Sequence, residues 1–245
     1  MLVRILTLVL IVTLLPTLGW AARGFGTTSG TAATDVVTSG SIASTTLRSY
    51  WMRVTLNTVA SSDRLLKHNS TALSEIVLDV ATDRYRFSAL WSGGLASWRT
   101  PAATGSHTLA ITYDGGSSAN APIMYVDGAS LTVTLGTAAS GTLTSGSGAI
   151  TIGNSELGDR VCDCIISELA VYDVILSGAN VTSLHNGARP DGIGTAPTHY
   201  WKLCGADSPE LADVGGSSGT VTGALRQPHP IRNCGSQVSA TGGGN

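Results

Sequence analysis

Alternating apolar and polar positions are clearest between His107 and Gly128. From His107 to Tyr113, leucine, isoleucine and tyrosine alternate with threonine and alanine, which is the period-two pattern of a strand with one buried face. Asp114-Gly115-Gly116 then supplies residues that tolerate the backbone angles of a turn. A second apolar run, Ile123 to Val126, ends at another Asp-Gly pair, Asp127-Gly128. The segment is therefore predicted to form an antiparallel hairpin.

Short apolar runs separated by Gly, Asp, Asn and Ser extend this pattern over most of the chain. The runs are Leu47 to Leu56, Arg64 to Lys67, Glu75 to Val80, Tyr85 to Trp91, Leu131 to Leu135, Ala149 to Ile152 and Ile165 to Tyr172. The sequence does not alternate strands with helices as a parallel sheet would require. This spacing predicts an all-β jelly-roll sandwich of two antiparallel sheets. Residues 23–46, rich in Gly, Ser and Thr, are predicted to form an extended arm followed by an edge strand.

One short helix is predicted near residue 180. Ser177 can cap its N-terminus, Val181 and Leu184 fall on one face, and Gly187 can close it in the left-handed conformation. Such a helix would span barely two turns. It is therefore expected to cover one end of the sandwich rather than to organise the fold.

The first 22 residues differ from the rest of the chain. Arg4 precedes an apolar core from Ile5 to Leu15, Pro16 ends that core, and small residues follow up to Ala22. This is typical of a secretory signal peptide that is cleaved around Ala21 or Ala22. The alternative is an uncleaved membrane anchor. The predicted organisation is a signal peptide at 1–22, one sandwich domain at 23–231 and a flexible Gly/Ser-rich tail at 232–245, in a secreted or surface-associated protein.

Composition and charge narrow the classes of partner. Only 12% of the residues are charged, against about 25% in an average soluble domain. The formal net charge is −2, which gives no reason to expect a nucleic acid or an anionic membrane surface as partner. Nothing in the sequence indicates the oligomeric state.

Four cysteines follow the predicted signal peptide: Cys162, Cys164, Cys204 and Cys234. An even number in an exported chain predicts disulfides. On a continuous strand Cys162 and Cys164 would point the same way and bridge each other poorly, so each is expected to pair with Cys204 or Cys234. A zinc site is disfavoured because the usual Cys-x₂-Cys spacing does not occur.

The order of motifs resembles the laminin G-like, concanavalin A-like family. The motifs are HTLAITYDGG, then APIMYVDGASL, then AITIG at 149–153 and IISELAVYDVILSGANVTSLHNG at 165–187. The resemblance covers roughly residues 25–187 and is specific in order and spacing. The segments at 200–203 and 211–216 look like the strand that often begins such modules. They are therefore expected to complete the same sandwich from its C-terminal end.

This resemblance implies a jelly roll that binds glycans, glycoproteins or other extracellular ligands, often with calcium. Four aspartates lie at turns where calcium sites of the family commonly occur: Asp114, Asp127, Asp173 and Asp213. They are the candidate calcium ligands. The alternative is ordinary turn chemistry, because Asp-Gly favours hairpin turns whether or not a metal is bound.

Aromatic side chains are the candidate ligand-binding groups. Trp91 and Trp98 bracket a Gly- and Ser-containing stretch that is expected to be a flexible loop, and Arg99 follows directly. Exposed indoles stack on sugar rings, and neighbouring polar groups fix the orientation of the sugar. The alternative is that both tryptophans pack inside the sandwich, as Trp51 and Trp201 are expected to do.

Catalysis is not indicated. Retaining glycoside hydrolases need two carboxyl groups about 5 Å apart, and neither Glu168 nor Asp83 has a second acid on the same face of its strand. The sequence therefore favours a secreted, non-catalytic module that binds glycan or glycoprotein. The alternatives are a structural or adhesion protein of a virion or cell envelope that docks to protein and, less favoured, a polysaccharide hydrolase or lyase.

Overall fold

The structure of the chain is a computed structural model, which describes residues 20–26, 34–59, 63–69, 74–79, 83–204 and 208–228. These residues form sixteen strands, one α-helix and one short 3₁₀ helix, numbered in chain order. Most of the predicted signal peptide, up to residue 19, and the predicted tail at 232–245 lie outside the described residues.

The strands are β1 (Trp20–Phe25), β2 (Val36–Ser44), β3 (Leu47–Leu56), β4 (Arg64–Asn69), β5 (Ser74–Asp79), β6 (Arg84–Trp91), β7 (Gly94–Pro101), β8 (Gly105–Asp114), β9 (Ile123–Val126), β10 (Ala129–Leu131), β11 (Thr134–Thr137), β12 (Gly146–Ile152), β13 (Cys164–Tyr172), β14 (His199–Trp201), β15 (Gly219–Thr222) and β16 (Leu225–Pro228). The α-helix is α1 (Gly178–His185), and the 3₁₀ helix is Pro190–Gly192.

Two antiparallel eight-stranded sheets are built from these strands. The first has the order β10-β9-β8-β3-β13-β1-β16, with β14 also paired to β13, and the second has the order β11-β7-β6-β5-β4-β12-β2-β15. The prediction of an all-β sandwich with one short helix is confirmed. Leu169 of β13 pairs with Trp201 of β14, so the prediction that a C-terminal strand completes the sandwich is also confirmed.

The main hydrophobic core lies between the two sheets because alternate side chains of each strand point inward. On β3, Tyr50, Met52 and Val54 contribute to this buried cluster. Trp51 belongs to a second apolar cluster, so successive residues of the strand serve opposite faces. The predicted period-two pattern therefore arises because alternate side chains of a strand face the core between the sheets and the opposite face of the sheet.

The second cluster lies on the outer face of the first sheet, beneath α1. Val181 and Leu184 of the helix pack there with Trp51 and Tyr172. Ser177 accepts a hydrogen bond from the backbone of Asn180, so the predicted N-cap is confirmed, and the two residues form a capping box. Burial raises the pKa of the Tyr172 hydroxyl. That hydroxyl donates a hydrogen bond to the carbonyl of Pro190 at 3.1 Å.

Two predicted boundaries are wrong. The stretch between Trp91 and Trp98 is not a flexible loop, because Trp91 pairs with Gly94 and only Ser92-Gly93 forms the turn between β6 and β7. The run from Leu131 to Leu135 is not one strand. It is divided between β10 and β11, which belong to different sheets, so the chain crosses between the sheets there.

The predicted disulfide connectivity is also wrong. Cys162 is bonded to Cys164, with their Cα atoms 5.3 Å apart, inside the usual range of about 4.4–6.8 Å. The prediction assumed a continuous strand, whereas β13 begins at Cys164 and the chain bends at Asp163. Cys204 is also disulfide-bonded, and Cys234 lies outside the described residues.

Strand β1 begins inside the predicted signal peptide. Its pairs with β13 use only residues 23–25, whereas Trp20 and Ala22 pair with β16. Arg23 also donates from Nη2 to Glu210 Oε2 at 3.0 Å in a buried ion pair. Cleavage after Ala22 would therefore preserve the contacts of β1 with β13. Among the described residues, no helix has the length and apolar character needed to cross a membrane.

A half-buried carboxyl group next to β4 makes folding stability depend on pH. Burial, and secondarily the charge of Asp163, raise the pKa of Asp63 to about 6. In the unfolded chain the proton leaves at the ordinary value of 3.8, so the folded state is favoured by this group at low pH and loses that advantage as pH rises through about 6. We expect Asp63→Asn to flatten the fall in thermal midpoint between pH 4 and 6. A variant whose midpoint follows the wild-type profile would contradict this assignment.

Candidate ligand-binding pocket

A pocket of about 160 Å³ opens on the outer face of the first sheet, beside the C-terminus of α1. Its walls come from β3, β8 and β13, from the turn between β9 and β10, and from the last residue of the helix. The lining residues are Arg53, Val54, Thr55, Ser106, His107, Thr108, Asp127, Ser167 and His185. Polar side chains therefore converge from five elements of the fold.

The Asp127-Gly128 turn forms one wall. Both residues have positive φ, +52° and +79°, as a two-residue type I′ hairpin turn requires. Asp127 Oδ1 accepts the backbone N–H of Thr108 at 2.9 Å, and Asp127 Oδ2 lies 2.8 Å from His107 Nδ1. A side chain at residue 128 would place its Cβ 3.1 Å from the Cβ of His185. Glycine at this turn thus lets the helix end approach the hairpin.

His185 ends α1 and forms the opposite wall. Its Nδ1 lies 2.9 Å from Thr108 Oγ1. Arg53 donates from Nη2 to the carbonyls of Leu184 and His185, at 2.6 and 3.5 Å. A guanidinium thereby adds a charged donor to carbonyls in the last turn of the helix, where such donors are favourable. The sheet itself holds the helix terminus in place.

Arg53 belongs to a buried charged network. Its Nε donates to Glu168 Oε2 at 2.9 Å, and the two side chains are only 5% and 1% exposed. Tyr200 donates its hydroxyl to Glu168 Oε1 at 2.7 Å, and the guanidinium lies 5.1 Å from the ring centre of Trp51. The network joins β3, β13 and β14 to the helix, so the floor of the pocket is fixed by tertiary contacts.

Ser167 reaches the pocket at an irregularity in β13. The register between β13 and β3 shifts between Ile166 and Glu168, which is the signature of a β-bulge. Such a bulge re-aims the side chain at the extra residue. Ser167 is 3% exposed and lines the pocket.

A family described as the Concanavalin A-like lectin/glucanases superfamily matches residues 25–182, well over half of the chain. The chain belongs to this superfamily. The resemblance stated from the sequence motifs is therefore confirmed. The superfamily includes both lectins and glucanases, so membership does not by itself distinguish binding from catalysis. The residues of the site must make that distinction.

Two solved structures share the fold. A candidate carbohydrate-binding protein from Bacteroides ovatus ATCC 8483 is 16% identical with a TM-score of 0.60, and the alignment covers 87% of this chain and 62% of that protein. The present chain thus matches only 62% of the length of the Bacteroides ovatus protein. A native heptameric SAP-like pentraxin from Limulus polyphemus is 12% identical with a TM-score of 0.53, over 84% of this chain and 96% of the pentraxin. No curated protein sequence matches the chain.

The tryptophans predicted to bind sugar are buried. Trp91 and Trp98 are 3% and 4% exposed and belong to the main core. Trp91 donates from Nε1 to the hydroxyl of Tyr113 at 3.1 Å, and Trp98 packs against Phe87 and Tyr113. Their faces are not available to a ligand, so the structure favours the core-packing interpretation over stacking.

Arg99 does not line the pocket. It belongs to the second sheet, where it pairs across strands with Arg86 and Thr134. Its position follows from the β6–β7 hairpin that replaces the predicted loop. The pocket residues lie on the other sheet, so the structure does not bring Arg99 together with them.

The four predicted calcium ligands do not converge. Asp127 lines the pocket, whereas Asp114 Oδ1 accepts from the backbone of Gly116, Asp173 accepts from Thr45, and Asp213 is paired with Lys202. Among the described residues, no group of three or more His, Cys, Asp or Glu side chains could hold a metal ion. The four aspartates therefore lie at separate turns, and calcium binding at any one of them together with backbone carbonyl groups stays a prediction.

Sequence reasoning missed Arg53, Thr108, Ser167 and His185. Each sits in a segment whose element was predicted, but their convergence depends on strand register and on where the helix docks. One signal was visible: Arg53 and Glu168 are charged residues within apolar strand runs. Such residues are seldom buried unless they are paired.

The buried pair gives a stability prediction. Replacing Glu168 with alanine would leave Arg53 buried without its carboxylate, a change that typically costs about 3–5 kcal/mol. We expect Glu168→Ala to lower the free energy of unfolding by that order in urea titration. The double variant Arg53→Met/Glu168→Leu should recover part of the loss, because it removes both charges. A Glu168→Ala variant as stable as the wild type would contradict a structural role for the pair.

Proposed function

We propose that this chain is a secreted, non-catalytic carbohydrate-binding module that holds one sugar residue in the pocket beside α1. The proposal rests above all on the convergence of hydroxyl, imidazole and guanidinium groups in one small concavity. Sugars present hydroxyl groups that both donate and accept hydrogen bonds, and side chains of these types complement them.

The size of the pocket supports a single-residue ligand. Its 160 Å³ is below the roughly 300–1,000 Å³ of sites that enclose drug-sized molecules. A terminal sugar could enter it, while the rest of a glycan would lie outside. This geometry suits a lectin-like module that recognises the end of a glycan or glycoprotein chain.

The arrangement of acids supports binding without catalysis. Of the residues that line the pocket, only Asp127 carries a carboxyl group, whereas glycoside hydrolysis uses two flanking carboxyl groups. Glu168 lies beneath the pocket, and both its oxygens are engaged by Arg53 and Tyr200. It is therefore in no position to act as a free acid.

Relatives and cysteine chemistry add weaker support. The Bacteroides ovatus protein with the same fold is described as a candidate for carbohydrate binding, but its ligand does not transfer at 16% identity. Secretion is proposed from the signal-like pattern before Ala22 and from the Cys162–Cys164 bond, since disulfides persist in oxidising compartments.

Binding to a glycan array tests the proposal. We expect the mature protein to bind a subset of glycans, and His185→Ala to weaken binding by about three- to tenfold, as loss of one hydrogen bond does. Ser183→Ala is the matched control, because Ser183 lies exposed on the same helix and outside the pocket. Titration calorimetry on the best glycan gives the affinities.

Two outcomes would contradict the proposal. A folded protein that binds no glycan would favour the alternative, a structural or adhesion module that docks to protein. Equal affinities for His185→Ala and Ser183→Ala would move the binding site away from this pocket.

Removal of divalent cations is a separate test. Of the four turn aspartates only Asp127 lines the pocket, and both its oxygens have protein partners, so we expect EDTA to leave glycan affinity unchanged within twofold. A loss of binding in EDTA that added calcium restores would show that a calcium site supports the function after all.

A further inference from the structure

Several side chains that line the pocket carry hydrogen-bond donors that have no acceptor among the described residues. The cation Arg53 uses Nε and Nη2 for protein partners, whereas Nη1 takes part in no hydrogen bond among the described residues. Its side chain is nevertheless 95% buried, and it lines the pocket. A guanidinium N–H group so placed calls for an acceptor.

Ser167 adds a second donor. Its hydroxyl, on a residue that is 3% exposed, makes no hydrogen bond with the described part of the chain, yet the residue lines the pocket. The bulge in β13 directs it there. Arg53 and Ser167 thus approach the same space from neighbouring strands.

His185 adds a third donor. When Thr108 donates its hydroxyl proton to Nδ1, at 2.9 Å, the neutral imidazole carries its own proton on Nε2. Within the described residues Nε2 has no hydrogen-bond partner, and His185 lines the pocket. Three donors from three elements therefore remain for a ligand.

The carboxylate in the pocket is already engaged. Asp127 accepts from the backbone of Thr108 and contacts His107. His107 lies between two acceptors, Asp127 Oδ2 at 2.8 Å and the carbonyl of Thr104 at 3.3 Å.

From these three donors we infer that the sugar held in the pocket carries an anionic acceptor group, a carboxylate or a sulfate, directed at Arg53 Nη1, Ser167 Oγ and His185 Nε2. The inference rests on the proposed function, because it names the ligand class of the same site. Charge-assisted hydrogen bonds of this kind are stronger than neutral ones, so the anionic group sets specificity and the remaining hydroxyls are secondary.

Matched sugar pairs test the inference. The first probes are two pairs of disaccharides, one pair ending in glucose or glucuronic acid and the other in galactose or galacturonic acid. The 6-sulfated forms of the glucose- and galactose-ended disaccharides complete the set. We expect at least one anionic form to bind tenfold or more tightly than its neutral counterpart, and the binding to weaken with added salt. Comparison of the uronate and sulfate arms identifies which anion the pocket accepts.

Variants assign the preference to the pocket. Ser167→Ala should reduce affinity for the anionic sugar by about tenfold, the scale of a hydrogen bond to a charged group, and should reduce affinity for the neutral partner by a smaller factor, so that the ratio of the two affinities falls. Ser183→Ala is the control for a serine outside the pocket. His185→Gln, which keeps a donor N–H, should retain more of the preference than His185→Met.

The outcomes separate this inference from the proposed function. Equal binding of neutral and anionic sugars, or a preference that survives Ser167→Ala and His185→Met, would overturn the inference and leave the carbohydrate-binding module standing. Absence of binding to every sugar by the folded protein would overturn both. Far-ultraviolet circular dichroism of each variant confirms that the comparison is made on folded protein.

Discussion

The buried ion pair between Arg53 and Glu168 is the interaction on which the candidate site depends. Two charges withdrawn from water are stable only when they are paired and supported by hydrogen bonds. Here Glu168 also accepts from Tyr200, and Arg53 also donates to the last carbonyls of α1. The pair therefore ties the C-terminal strand, two central strands and the helix together, and any ligand group that enters the pocket meets donors already held in position.

The outer face of the first sheet carries both an apolar cluster beneath α1 and the candidate pocket. The helix covers part of that face with Val181 and Leu184 and leaves a gap at its C-terminal end, where the hairpin turn at Asp127-Gly128 rises beside it. The apolar cluster stabilises the packing of α1 on the sheet, and polar groups line the pocket at the end of the helix. Polar groups that can hydrogen-bond a ligand are thus concentrated where the apolar cover stops.

Local patterns predicted much of the fold. The hairpin at His107–Val126, strands β3 and β13, and the capped helix follow from alternation and capping residues that act within a few positions. Where the prediction failed, the deciding contact was distant. The run after Trp91 became a strand because it pairs with its neighbour through a two-residue turn, and Trp98 is buried because the facing sheet covers it. A bend at Asp163 brought two cysteines together that a straight strand would hold apart.

The sequence by itself determined the fold class, the order of most strands, the helix and its caps, and the superfamily, because those properties are carried by side-chain periodicity and short motifs. Only the tertiary structure decided which polar residues meet. In the sequence, Arg53 is more than a hundred positions from both Ser167 and His185. They share a pocket because strand register, one bulge and the docking of one helix place them there. Register and docking are set by the packing of whole sheets, which no local stretch of sequence encodes.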